Sequence, residues 1–105
     1  MRVYVIPALS SHHAHDIDDG DILHGLQSLV GGYIEPCAPA EIKAKGIELL
    51  ANEEGLLKRL PPNTNLYPFF FVGTLVAVGV DGEEFVSLTP TQELFMKTWL
   101  AYLEY

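Results

Sequence analysis

Apolar positions recur along this chain with two different periods, and each period predicts an element. Residues 2–8, RVYVIPA, carry the consecutive β-prone residues Val3, Tyr4, Val5 and Ile6, and Pro7 ends the run, so a first strand is predicted. The next stretch, SSHHAHDID, is polar and rich in histidine and reads as a loop or an irregular edge segment. In DDGDILHGLQSLVGG the residues Ile22, Leu23, Leu26, Leu29 and Val30 fall on one helical face. Asp19 or Asp21 can cap that helix, and Gly31-Gly32 stops it, one glycine being free to take the left-handed conformation beyond the last turn. YIEP, residues 33–36, reads as a short strand, and APAEIKAKG as either one helical turn or a loop.

The second half of the chain alternates strands and turns. GIELLAN predicts a strand with Ile47, Leu49 and Ala51 on one side. Asn52-Glu53-Glu54-Gly55 follows as a turn, with LLKRL expected to pair back as a short strand. PPNTNLYP is a loop. FFFVGTLVAVGV is a nearly continuous apolar run whose β-branched residues, aromatics and glycines predict a central strand buried on both faces. Phe70 would then point to one face and Phe69 and Phe71 to the other. Asp81-Gly82 marks a hairpin, with EEFVSL returning. Thr89, Pro90 and Gln92 form a helix start, with threonine at the cap, proline in the first turn and glutamine completing a capping box. The helix they open places Leu94, Phe95, Trp99, Tyr102 and Leu103 along one face.

This order predicts one α+β domain over residues 1–105. Its sheet is mixed or antiparallel, with four to five strands. Two helices, near 20–30 and 90–103, are expected mainly on one face, because two helices cover both faces of such a sheet poorly.

Composition narrows the function. At 105 residues with 49% apolar content, the chain can bury a core without staples. A lone cysteine, Cys37, excludes an internal disulfide and a cysteine-cluster zinc site. No apolar run reaches the ~20 residues of a membrane span, so a cytoplasmic protein is expected. Six basic residues against fourteen acidic ones give a net charge of −8. Direct nucleic-acid binding and attachment to anionic membranes are therefore not expected, since both depend on Lys and Arg.

Three stretches in this order resemble a family of small proteins from phages, plasmids and their bacterial hosts, known as domain of unknown function 3846. They are LQSLVGGYIEP (residues 26–36), ANEEG followed by LLKRLPPN (residues 51–63), and VGTLVAVGVDGEEFVSLT (residues 72–89). The pairing of LVGGYIE with NEEG is the most specific feature. The resemblance implies a mobile-element protein acting in a host cell. It carries no activity, cofactor or catalytic residue with it.

Two constellations could carry chemistry. His12, His13, His15 and Asp16 are ligand types for zinc, nickel or copper. If the segment is extended, His13 and His15 share one face and His12 and Asp16 the other. The bland alternative is a solvated loop. The second constellation is a recognition surface of Tyr33 and Glu35, which alternate along one strand, with Asn52, Glu53 and Glu54 of the turn. Here the alternative is a hairpin that needs its Asn and Gly while the glutamates stay solvated. No catalytic residue is assigned, since neither a nucleophile motif nor a phosphate-cradling glycine loop occurs. Nor does any basic neighbour in sequence activate Cys37.

A non-enzymatic binding protein of a phage or mobile element is therefore expected, without a cofactor. It would occupy a host or phage protein or sequester a small ligand, for instance in counter-defence. A metal-binding protein or metal-dependent enzyme using the His12–His24 segment is the alternative, and an acidic mimic of DNA ranks below it. Aromatic surface left over from Phe69 to Phe71, Trp99, Tyr102 and Tyr105 would be a self-association or partner site, so monomer and homo-oligomer both stay open.

Overall fold

A computed structural model of the chain describes residues 1–104. Its elements are β1 (Arg2–Ile6), β2 (His13–Asp16), α1 (Ile22–Val30), β3 (Ile34–Pro36), α2 (Ala40–Lys43), β4 (Ile47–Asn52), β5 (Leu75–Asp81), β6 (Glu84–Val86) and α3 (Pro90–Leu103). The domain is α+β, and every strand pair is antiparallel, as expected. The strand order is β2-β1-β5-β4-β3. β1 and β6 share one side of β5, β1 pairing with its first half and β6 with its second.

The sheet gains a strand over the expected count because His13–Asp16 pairs with β1 as an edge strand, Val3 opposite His15 and Val5 opposite His13. Its polar composition hid it. An edge strand of which only Ala14 touches the core shows no extended apolar alternation.

The placement of the helices differs from expectation. α1 and α3 pack on opposite faces of the sheet. Val3, Val5, Leu50, Val76 and Val78 point toward Leu26 and Val30 of α1. The alternate residues Tyr4, Ile6, Leu49, Leu75 and Ala77 point toward Met96 and Leu100 of α3 and Ile42 of α2. The three inner strands are apolar on both sides, and a helical layer on the α3 side alone would leave Val76 and Val78 in water. The short α2 and a 3-10 turn at Thr64–Leu66 help α3 to cover its side.

Local signals explain the helix ends. The Asp21 carboxylate accepts from the His24 amide at 3.2 Å. Gly31 adopts φ +80°, and its amide and that of Gly32 both reach the Gln27 carbonyl. Thr89 and Gln92 form the reciprocal capping box, at 3.1 and 3.0 Å. In α3 the buried residues are Met96 and Leu100, flanked by Phe95, Trp99 and Leu103, while Leu94 and Tyr102 of the expected face are exposed. Tyr105 lies outside the described residues.

Two expectations about the long apolar run need correction. β5 begins only at Leu75, so Phe69 to Phe71 belong to the preceding loop and do not alternate across a sheet. LLKRL forms no strand. After Asn52 the chain coils, with the amides of Lys58 and Leu60 bonded to the carbonyls of Glu54 and Gly55, and Arg59 at φ 55°. Backbone groups satisfied locally in this way have no cross-strand partner to seek. Among the described residues no helix is long and apolar enough to cross a membrane.

Candidate functional site

β4 ends at Asn52, and this side chain organises everything around it. It is buried, with 6% of its surface exposed. Its Nδ2 donates to the Val30 carbonyl at the end of α1, 3.2 Å away, and its Oδ1 accepts from the Glu54 amide at 2.8 Å. Gly32 lies against it, such that a Cβ there would sit 2.9 Å from Asn52 Nδ2. The LVGG and NEEG segments, 20 residues apart in sequence, are thus two halves of one packing unit. The tight turn itself closes by the Gly55 amide on the Asn52 carbonyl at 3.0 Å.

The coil that follows is pinned at Asn63. This residue is also buried; its Nδ2 donates to the carbonyls of Ile6 and Gly73, both at 2.9 Å, and its Oδ1 accepts from the Asn65 amide at 3.0 Å. Three strongly held bonds fix residues 61–73 over the α3 side of the sheet. Phe69 then stacks near Phe71 and tilts onto Trp99, with ring centroids 6.2 and 5.5 Å apart. Phe70, between them, is left pointing outward.

The coil and the β3–β4 end of the sheet enclose a cavity of about 420 Å³. Its floor is Cys37, Ala51 and Asn52. Its apolar wall is Leu56, Leu57, Phe70, Phe71 and Val72, and its acidic edge is Glu35 and Glu53. Leu57 is 83% and Phe70 77% exposed.

The structure therefore brings together Glu35, Asn52 and Glu53 of the expected recognition surface. Tyr33 and Glu54 do not line the cavity. Tyr33 is exposed just before β3, with its carbonyl accepting from the Glu53 amide at 2.9 Å, and Glu54 is half-buried with its amide committed to Asn52. Cys37, Leu56, Leu57 and Phe70 complete the cavity without having been assigned to it from sequence. The adjacent leucines before Lys58-Arg59 cannot both be buried by a short exposed strand, which leaves one at the surface, but no local pattern gathers them with Cys37 and Phe70 around one cavity.

Cys37 is half-buried, and its thiol is pushed up to about 12, mainly by burial and further by the nearby Glu48 and Glu35 carboxylates. Glu48 Oε1 is itself held, accepting from the amides of Ala38 and Leu49 at 2.8 and 3.0 Å. At neutral pH the cavity floor thus carries a thiol, not a thiolate nucleophile.

The histidine segment is split between the two faces of the sheet. His13 and His15 project from β2 on the α1 side and are exposed. His12 meets the Tyr4 hydroxyl on the α3 side, and Asp16 pairs with Arg2 at 3.1 Å. Among the described residues no three His, Cys, Asp or Glu side chains converge in a way that could hold a metal.

A wider, shallower cleft of about 660 Å³ runs along α3, lined by Phe69, Phe95, Trp99 and Tyr102, with Lys45 over the Phe95 ring. The expected aromatic remainder is found here in part, although Trp99 is mostly engaged with Phe69.

The family described as domain of unknown function (DUF3846) matches residues 1–103. No curated protein and no solved structure matches the chain. The match covers nearly all of the chain, and the chain belongs to that family.

Proposed function

We propose that this protein is a non-enzymatic binding module whose cavity beside the Asn52–Gly55 turn takes a segment of a partner protein, an apolar side chain flanked by a basic one. The observation that carries this reading is the exposure of Leu57 and Phe70 on the wall of a cavity edged by Glu35 and Glu53. Large apolar side chains held in water around a concavity, with a charged border, are the usual mark of an interaction surface. Burying apolar area is favourable by about 25 cal/mol per Å², and an anchor residue seated here would cover both side chains at once.

Charge selects the partner's polarity. The cavity is lined by two carboxylates and no basic group, on a chain of net charge −8. A lysine or arginine beside the apolar anchor would be attracted, and an acidic segment repelled. The rigid floor favours such a role, since Asn52 and Asn63 fix both sides of the cavity before any partner arrives. The setting implied by the family resemblance, a phage or mobile element, makes a host or phage protein the partner in this reading.

Selection from a random peptide display library on the full, tag-free chain tests it. Enriched sequences should share an apolar residue next to Lys or Arg. Their binding should fall at least ten-fold with Phe70→Ala and with the double change Glu35→Lys/Glu53→Lys. Peptides that bind these variants as well as the parent, or that carry acidic motifs, would overturn the assignment.

A further inference from the structure

β2 is one free edge of the sheet, pairing only with β1. Which of its backbone groups are free follows from the register. The Ile17 amide donates to the Met1 carbonyl at 2.9 Å, so Met1 and Ile17 are a hydrogen-bonded pair. In an antiparallel ladder such pairs alternate with non-bonded ones. His15 and His13, opposite Val3 and Val5, therefore direct their backbone groups inward to β1. Ala14 and Asp16 direct theirs outward to solvent. The edge contains no proline, no lysine and no bulge, three of the devices that block strand addition.

This edge is self-complementary. A second copy related by a twofold axis at Ala14 would pair Ala14 with its own counterpart, through the outward amide and carbonyl of each. The same register sets His12 opposite the other copy's Asp16, a basic group against a carboxylate. It also sets His13 of each copy opposite His15 of the other, at non-bonded positions where side chains approach most closely. All four of these imidazoles then lie on the α1 side. Their Cβ atoms would stand about 4.5–5.5 Å apart across the interface and about 7 Å apart along each strand, twice the rise per residue.

Four histidines in that array are a nitrogen-only ligand set of the kind that zinc takes tetrahedrally, with Zn–N of about 2.0–2.1 Å. One of them is already set for the task. His13 Nδ1 lies 3.1 Å from the Ser11 carbonyl, which can only accept, so the neutral ring that makes this bond carries its proton on Nδ1 and keeps Nε2 as the ligand atom. A metal-bound histidine typically donates its second ring nitrogen to a carbonyl in this way. Within one chain the two histidines cannot hold the ion alone, in keeping with the lack of a three-ligand group among the described residues.

We infer that β2 is a metal-dependent self-association edge, at which His13 and His15 of two copies bind one zinc-type divalent ion and join two sheets into one. The inference is independent of the cavity beside Asn52, which lies at the opposite end of the strand order.

Sedimentation velocity of the full, tag-free chain, with EDTA and then with added zinc chloride, tests it, alongside metal analysis of each peak. Zinc should convert monomer to dimer at one zinc per two chains. His13→Ala/His15→Ala should lose the zinc-induced dimer, with at least a ten-fold drop in zinc affinity. Both side chains are exposed, so this variant keeps its fold. His12→Asp, which sets two carboxylates across the same interface, should weaken the dimer while leaving the four imidazoles in place. A chain that stays monomeric with zinc, that binds one zinc per monomer, or that dimerises equally well in the double variant would overturn the inference.

Discussion

The side-chain amide of Asn52 donates to the carbonyl of Val30 across 3.2 Å, joining the end of the inner strand β4 to the end of helix α1. The bond does two things at once. It satisfies a carbonyl that the helix leaves without a partner, and it fixes the point where the chain turns into the cavity wall. The close approach of Gly32 to the same side chain shows why a glycine pair stands there.

Removing this side chain should be costly. Asn52→Ala leaves a buried carbonyl and the Glu54 amide without their partner, at about 1–3 kcal/mol. Gly32→Ala should also destabilise, since its Cβ would press on Asn52. In the Asn52→Ala background the Gly32→Ala penalty should largely vanish. Urea unfolding of the two single variants and the double variant measures this. Strict additivity would mean that the two positions act separately.

Asn63 should be no less sensitive, and in a way that depends on pH. Its Nδ2 faces two carbonyls. In Asn63→Asp, only a protonated acid could donate to either, so the folded state should raise the carboxyl above its unfolded value of about 3.9. The folded state then binds the extra proton, and stability relative to the parent should fall as pH rises from about 4. Thermal unfolding of both proteins between pH 3.5 and 7 checks the sign. A gap that stays constant with pH would contradict it.

Glu93 predicts the opposite direction in the unmodified protein. The hydrogen bond from Arg2 Nε, at 2.8 Å, holds its carboxyl below the usual range, and Lys97 adds to this at 3.3 Å. A lowered folded value means that the contribution is present above the unfolded value of about 4.3 and is lost as pH falls through the folded one. Glu93→Gln should therefore narrow the stability difference between pH 6 and pH 3, as read by urea midpoints.

Cys37 should be a slow thiol. With its ionisation pushed up to about 12, only a trace is thiolate at pH 8, and iodoacetamide should modify it far more slowly than free cysteine. Unfolding in urea should restore the ordinary rate. A folded chain that reacts at the free-cysteine rate would place Cys37 outside the cavity floor.

Much of the fold was legible because single residues dictate their local structure. Thr89, Pro90 and Gln92 can hardly do anything but open a helix, and Gly31 ends α1 where the pattern stops. β5 was recognisable as the central strand because it is apolar on both faces. That same two-sided burial requires a helix on each face, a stronger constraint than how well two helices cover a sheet of this width. β2 escaped notice because an edge strand in water carries no alternation to read.

The candidate site was half legible. The turn residues Asn52 and Glu53 stood out by their motif, and Glu35 by alternation with Tyr33. The wall was not, because the role of Leu57 and Phe70 depends on a coil held by Asn63, whose partners Ile6 and Gly73 are 57 and 10 residues away. No local pattern encodes those contacts.

The most direct test of the binding assignment is amide chemical-shift mapping by NMR, with a labelled full chain titrated by a peptide selected on it. The assignment predicts saturable shifts clustered at Glu35, Cys37, Glu53, Leu57 and Phe70, which vanish in Phe70→Ala while the rest of the spectrum is retained. Shifts centred on the α3 cleft around Phe95 and Tyr102, or spread over the chain without saturation, would contradict it.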